Sequence, residues 1–226
     1  MSRGENRLFR FRSRRNSNTV SEPECPNPGE PVYVNVYNLL WPNGMKIGGY
    51  HTGTVVYGNE YGFGGHPFPV SGLFQIIPRD EEAMGEGFSF RETLYIGRTY
   101  LSLAGVERLL LSLQDEFQGN AYHLLKYNCN NFTADFIKLL CNATLPSWIN
   151  MMERFVSSLG FIESLLPPYL VRPGLMRDEV DPADFFRLVE SDYNSEDSSK
   201  PLRPGCMRFI CDGLSSRSTL YGHDSP

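Results

Sequence analysis

The first half of the chain carries the alternating pattern of β-strands. Val32, Val34 and Val36 are separated by single polar or aromatic residues, which predicts a strand with one buried face. Four further runs are rich in β-branched and aromatic residues and are bounded by turn-forming residues. These runs predict strands at residues 50–58, 61–63, 72–77 and 90–96.

The hydrophobic period changes in the second half. Apolar residues three and four positions apart mark one face of a helix, and they are Leu103, Val106, Leu110, Leu113 and Phe117. Ser102 is well placed as its N-cap. The same spacing returns over residues 132–140, and again over residues 148–156 after a Pro-Ser start signal. A strand-rich block followed by a helical block predicts an α+β fold.

Regular patterns are confined to residues 30–166, which we predict to be one domain. Residues 1–29 contain six arginines among Ser, Asn, Pro and Glu, and we expect a disordered basic arm there. Residues 167–226 are rich in Pro, Ser and acidic side chains, and we expect a largely disordered tail with one short helix near residues 182–190. The chemistry should therefore lie in residues 30–166.

Composition limits the class of protein. The chain has 226 residues, 41% of them hydrophobic, so it can bury a core. Its formal net charge of −5 gives no electrostatic reason to bind nucleic acid. No run approaches the roughly 20 apolar residues of a spanning helix, and no secretory signal is visible. We expect a cytoplasmic protein; the arginine-rich arm leaves nuclear or organelle entry open, and the oligomeric state is also open.

The five cysteines offer one candidate nucleophile. Cys129 falls where an extended segment ends and a helix begins, and the free N–H groups of a helix start can lower a thiol pKa and hold an oxyanion. Asn128 or Asn130 would fit there as capping residues. On the residues alone, a buried and inert cysteine is the commoner case.

A nucleophilic thiol needs a base, and His51 is the first choice among the four histidines. It lies within a predicted strand, which holds a side chain in a fixed direction. His66 belongs to a Gly-Gly-His-Pro turn and fits a loop that contacts substrate. His123 suits a core or turn position, and His223 lies in the predicted tail.

Other constellations are missing from the sequence. There is no C-x-x-C pair, no phosphate-binding glycine loop and no G-x-S-x-G elbow. Cys206 and Cys211 have no second pair of ligands, so structural zinc is not expected. We therefore expect neither a metal nor a cofactor.

Four segments together resemble the PPPDE family, the deSUMOylating isopeptidase (DeSI)-like cysteine peptidases. They are VYVNVYNLLW, GYHTGTVVYGNEYGFGGHPFPVSGLF, GNAYHLLKYNCNNFTADF and LPSWINMMERF, in that order. The resemblance implies a circularly permuted papain-like fold, with His51 as base and Cys129 as nucleophile. The family is described as using a dyad, so no third catalytic residue is assigned. We predict Asn128 and Asn130 as oxyanion or orienting groups, and a substrate groove that includes Trp41, Gly64, Gly65 and His66.

Three functions remain open at this point. The resemblance implies an isopeptidase that removes SUMO or ubiquitin-like modifiers from proteins through the Cys-His dyad. An alternative is a thioesterase that removes acyl groups, such as palmitoyl, from S-acylated proteins with the same dyad. A third is a catalytically silent module that binds a protein partner in its groove.

Overall fold

A single antiparallel sheet organises the chain. The computed structural model describes residues 28–40, 43–150 and 202–211, with the side chain of residue 47 excepted. Within them the strands are β1 (Glu30–Leu40), β2 (Lys46–Val56), β3 (Asn59–Phe63), β4 (Leu73–Ile76), β5 (Phe88–Thr99) and β6 (Arg208–Phe209). Their order across the sheet is β5-β1-β2-β3-β4-β6. The strand carrying His51 therefore lies near the centre of the sheet.

Three α-helices and one 3-10 turn complete the described residues. They are α1 (Glu81–Met84), α2 (Leu103–Leu113), the 3-10 turn (Gly119–Ala121) and α3 (Cys129–Cys141). The side chain of Ser102 accepts a hydrogen bond from Gly105 N, which confirms the predicted cap of α2. Helix α1 is not in the prediction, because a single turn is too short to show a hydrophobic period. Its capping residue is Asp80.

Helix α2 is shorter than the apolar spacing predicts. Leu113 O accepts from both Glu116 N and Phe117 N, so the chain tightens and leaves the helix at that point. Phe117 is still fully buried, but it packs from the following turn. At the other end, Leu103 is 42% exposed rather than part of the buried face.

The two faces of the sheet bury different side chains. The helix face holds Val32, Val34 and Val36 of β1 against residues of α2 and α3 such as Val106 and Phe132. The opposite face, called here the aromatic face, is built from Tyr37, Phe74, Ile76, Met84, Phe88, Phe90, Met207 and Phe209. The strand predicted at β1 is confirmed, but the expectation of a single buried face is wrong, because Asn35 and Tyr37, which alternate with the valines, are buried too. Neighbouring residues of β2 likewise point to opposite faces.

The described residues also bear on the predicted ends of the domain. Residues 147–150 form a turn, and the remainder of the predicted helix at 148–156 lies outside the described residues, as do residues 1–27 and most of the predicted tail. The described part of that tail, residues 202–211, contains β6, which pairs with β4 through Phe74 and Gln75. That strand is not in the prediction, because two residues carry no period. The domain boundaries stay predictions.

Candidate active site

Cys129 is the first residue of α3, and the cap of that helix explains the asparagines around it. The Asn128 side chain accepts hydrogen bonds from Asn130 N (2.8 Å) and Asn131 N (3.3 Å). In return, Asn131 Oδ1 accepts from Asn128 N (2.8 Å), which makes a reciprocal capping box. Asn128 Nδ2 donates to Leu124 O (2.7 Å). Asn128 is thus committed to the helix start.

The sulfur of Cys129 is buried among hydrogen-bonding groups. Burial, the largest influence, raises the pKa of the thiol to about 11, against the lowering influence of the N–H of Thr52, the hydroxyl of Tyr122 and the N–H of Asn130. The thiol donates to Asn130 Oδ1 (3.7 Å), and Tyr122 OH donates to the sulfur (4.0 Å). The N–H groups of the helix start lower this pKa, but desolvation outweighs them and the net pKa is raised.

His51 lies on β2, and its ring is enclosed by the aromatic face. The ring centroid is 5.2 Å from Phe88, 6.0 Å from Tyr37 and 6.3 Å from Phe74. Burial lowers the pKa of His51 to about 3, so the imidazole is neutral at pH 7. Its Nε2 is buried and makes no hydrogen bond. A buried polar nitrogen without a partner is uncommon and costs stability.

The residue after His51 joins the strand to the cysteine helix. The N–H of Thr52 lies against the sulfur of Cys129, so the sulfur sits beside the peptide group that links residues 51 and 52. Thr52 Oγ1 donates to Asn130 Oδ1 (2.9 Å), and Asn130 Nδ2 donates to Tyr50 O (3.2 Å). The Asn130 amide therefore holds both neighbours of His51. The sulfur of Cys129 thus lies beside the main chain next to His51, whereas the His51 ring lies in the aromatic face and makes no hydrogen bond to the sulfur.

A narrow cavity of about 20 Å³ opens beside Cys129. That volume is room for about one water molecule. The lining residues are Leu39, Gly49, Tyr50, Leu124, Leu125, Asn128, Cys129, Asn130, Ile149 and Asn150. The site as described thus has a buried, neutral thiol in the wall of a small cavity.

The predicted groove residues lie elsewhere. Trp41 falls outside the described residues. Gly64 and Gly65 are half-buried, and Gly65 lies directly against the Tyr122 ring. His66 is buried and its Nε2 donates to Ser71 O (3.0 Å). None of the described ones lines the cavity at Cys129, and their role in substrate binding stays a prediction.

Sequence reasoning did not identify two residues that touch the sulfur. Tyr122 precedes Cys129 by seven positions, with no motif that separates it from an ordinary core tyrosine. Thr52 directly follows the candidate base. Its N–H approaches the sulfur because β2 packs against α3, and the sequence pattern does not reveal such a contact between distant segments. His123, expected in the core or a turn, is buried, and its Nδ1 accepts from Leu125 N (3.3 Å).

Two class-defining features are missing from the described residues. No helix among them is long and apolar enough to cross a bilayer. No group of three or more His, Cys, Asp or Glu side chains among them could hold a metal ion.

An α+β domain with a cysteine at a helix start and a histidine earlier in the chain, on the adjoining strand, has the order of functional groups expected from the PPPDE resemblance. Comparison with known families agrees: residues 30–169 match the family described as "PPPDE putative peptidase domain". The chain belongs to this family. The expected resemblance and the α+β fold are thereby confirmed.

Several curated proteins are similar to the chain. It is 36% identical over 154 residues to the desumoylating isopeptidase 1 homolog of Caenorhabditis elegans. The aligned region covers 66% of this chain and 46% of that protein. It is 30% identical over 202 residues to a DeSI-like protein of Arabidopsis thaliana, covering 87% of this chain and 84% of that one. A DeSI-like protein of Schizosaccharomyces pombe is 38% identical over 133 residues, 54% of this chain and 64% of that protein. The chain thus spans about half the length of the nematode relative.

Proposed function

We propose that this chain is a cysteine-dependent isopeptidase that removes SUMO or a ubiquitin-like modifier from proteins, with Cys129 as nucleophile and His51 as base. The observation that carries the proposal is the junction of α3 and β2. There the sulfur of Cys129 meets the N–H of Thr52, next to a histidine whose buried Nε2 has no hydrogen-bond partner. Family membership and the names of the relatives support a peptidase of this kind.

The free Nε2 of His51 is the acceptor that the thiol proton needs. In the proposed reaction the S–H bond breaks and the proton passes to His51, which requires the imidazole to leave its place in the aromatic face and reach the sulfur. The thiolate attacks the carbonyl carbon of the isopeptide bond, and the N–H of Cys129 at the helix start is the donor we assign to the oxyanion. Imidazolium then protonates the leaving lysine amine, and water hydrolyses the thioester. Both ionisable groups start neutral, so substrate must open and polarise the site.

Gly49 in the wall of the cavity presents no side chain to the approach of an acyl group to the sulfur. A long acyl chain would need a further apolar channel, and no described feature favours that alternative.

A modifier-based electrophile tests the proposal. Purified protein is incubated with SUMO or ubiquitin whose carboxyl terminus carries a thiol-reactive group, and adducts are located by mass spectrometry. We expect an adduct at Cys129, its loss in Cys129→Ala, and its strong reduction in His51→Ala. Cys141→Ala is the matched control, because Cys141 is a half-buried free thiol of the same helix and should leave labelling intact.

Other outcomes separate the remaining alternatives. Labelling of Cys129 by a long-chain acyl probe, with none by either modifier, would replace the isopeptidase with a thioesterase. If a correctly folded protein reacts with no probe at Cys129, the catalytically silent binding module becomes the remaining interpretation.

A further inference from the structure

Tyr122 reaches the reacting sulfur from outside the proposed dyad. It follows the 3-10 turn Gly119–Ala121, its side chain is 8% exposed, and its ring packs on Phe63 with centroids 5.1 Å apart. Its hydroxyl donates to the sulfur of Cys129 at 4.0 Å, which is the long end of the range for a sulfur acceptor. The tyrosine is buried, and its polar end is aimed at the candidate nucleophile.

The ring reaches this place because residue 65 is glycine. A Cβ at Gly65 would lie 3.1 Å from Cβ and Cγ of Tyr122, closer than most real Cβ contacts. Tyr127 shows the ordinary arrangement by contrast, since its hydroxyl donates to the backbone carbonyl of Glu116 and its ring stacks on Phe117. Tyr122 is thus held against the sulfur by a close backbone approach.

When the Cys129 thiol ionises, a hydrogen bond donated by Tyr122 to the sulfur becomes more stabilising. The neutral thiol donates to Asn130 Oδ1, whereas a thiolate can only accept. Burial causes the high pKa of Cys129, and no charged side chain among the described groups lowers it. The groups that lower this pKa are hydrogen-bond donors: the hydroxyl of Tyr122 and the N–H groups of Thr52, Asn130 and Cys129 itself. His51, the other titratable group at this junction, is neutral. Hydrogen bonds to a charged acceptor are roughly twice as strong as those to a neutral one.

Tyr122 keeps its own proton while it donates. Burial, followed by the nearness of Cys129, raises the pKa of Tyr122 well above its ordinary value. The phenol cannot compete with the imidazole for release or uptake of the thiol proton at neutral pH.

We propose that Tyr122 is a further catalytic residue, whose hydroxyl donates a hydrogen bond to the Cys129 thiolate as His51 accepts the thiol proton. In this step the S–H bond breaks, an N–H bond forms on His51, and the O–H bond of Tyr122 stays intact. The catalytic consequence rests on the proposed function. The hydrogen bond to the thiolate does not, and it can be measured without any substrate.

The test is the pH dependence of Cys129 alkylation by iodoacetamide in the full chain, read out by mass spectrometry. Tyr122→Phe removes the hydroxyl and leaves the ring, and we expect alkylation of Cys129 below its pKa to slow about ten- to a hundredfold, with the pKa of the thiol raised by about one to two units. Tyr127→Phe is the matched control and should react like the wild type. A pH profile unchanged in Tyr122→Phe, or shifted equally in Tyr127→Phe, overturns the proposal.

A second variant tests the same hydrogen bond in case the Tyr122→Phe protein does not fold. Gly65→Ala pushes the Tyr122 ring from its place without removing any hydroxyl, and it should shift the alkylation profile in the same direction. Gly87→Ala is its control, because no atom lies within 4 Å of the added methyl. An unshifted profile in a folded Gly65→Ala protein also overturns the proposal.

The alkylation and the modifier-labelling experiments fail independently. A shifted alkylation profile in a protein that cleaves no modifier supports the Tyr122 hydrogen bond and rejects the isopeptidase. Normal cleavage by a Tyr122→Phe protein with an unshifted profile supports the isopeptidase and rejects Tyr122 as a catalytic residue.

Discussion

Burial of His51 makes the stability of the fold depend on pH. The pKa of this imidazole is about 3 in the folded protein, and its ordinary value is 6.5. Between these values the unfolded chain binds a proton that the folded protein does not, so the free energy of unfolding rises with pH. The contribution of His51 is complete above pH 6.5 and is lost as pH falls from 6.5 toward 3.

The magnitude follows from the two pKa values. At pH 5 the unfolded state gains about 2 kcal/mol from protonating this histidine, whereas the folded state gains almost nothing. At pH 7.5 both gains are negligible. A His51→Gln protein lacks the titration, so its free energy of unfolding should fall by about 2 kcal/mol less than that of the wild type between pH 7.5 and pH 5. Other carboxyl and histidine groups titrate equally in both proteins and cancel.

Urea unfolding of the wild type and of His51→Gln at both pH values measures this difference, and proton NMR of the imidazole checks its cause. We expect the His51 ring resonance to stay at its neutral position down to pH 5 in the folded protein. Equal pH dependence of the two proteins would refute the reasoning, as would a ring resonance that titrates near pH 6.5.

Two further predictions concern the packing around the site. Gly53→Ala should lower the free energy of unfolding by about 1–3 kcal/mol, because the added methyl would overlap the buried carboxylate of Glu60. Urea unfolding alongside Gly87→Ala checks it, and equal midpoints would contradict it. Asn130→Ala should cost about 1–3 kcal/mol by releasing Thr52 and leaving buried groups unpaired. Combining it with Thr52→Ala should cost less than the sum of the single changes in urea unfolding, and strict additivity would argue against the tie.

The strands and α2 could be predicted because their patterns are local. Val32, Val34 and Val36 all lie on the helix face of β1, and Ser102 caps α2 as its position suggests. The burial of Asn35 and Tyr37 on the other face depends on side chains from other strands, so it could not be predicted from the alternation. The one-turn helix α1 and the two-residue strand β6 are too short to carry a period. They exist because Asp80 caps the first and the edge of β4 pairs with the second.

The elements that carry the candidate residues could be predicted from the sequence, but the electrostatics around them could not. The helix start at Cys129 can be read from neighbouring residues, and it favours a low pKa. The high pKa found there depends on burial by groups distant in sequence, which no local pattern contains. The same holds for His51, whose aromatic neighbours come from three other strands, with Phe88 lying 37 positions away along the chain.

Strand β6 shows that the folding unit and the family match do not end at the same place. The match stops at residue 169, yet Phe209 pairs with Phe74, the ring that stacks on His51, and Ile210 N donates to Leu73 O (2.9 Å). Gly205 N also donates to Asp80 at the cap of α1 (2.7 Å). A chain cut at residue 169 would leave the outer edge of β4 with unpaired N–H and C=O groups, a surface on which another strand can assemble. The segment beyond the recognised domain thus covers the free edge of β4, where an unpaired strand would favour self-association.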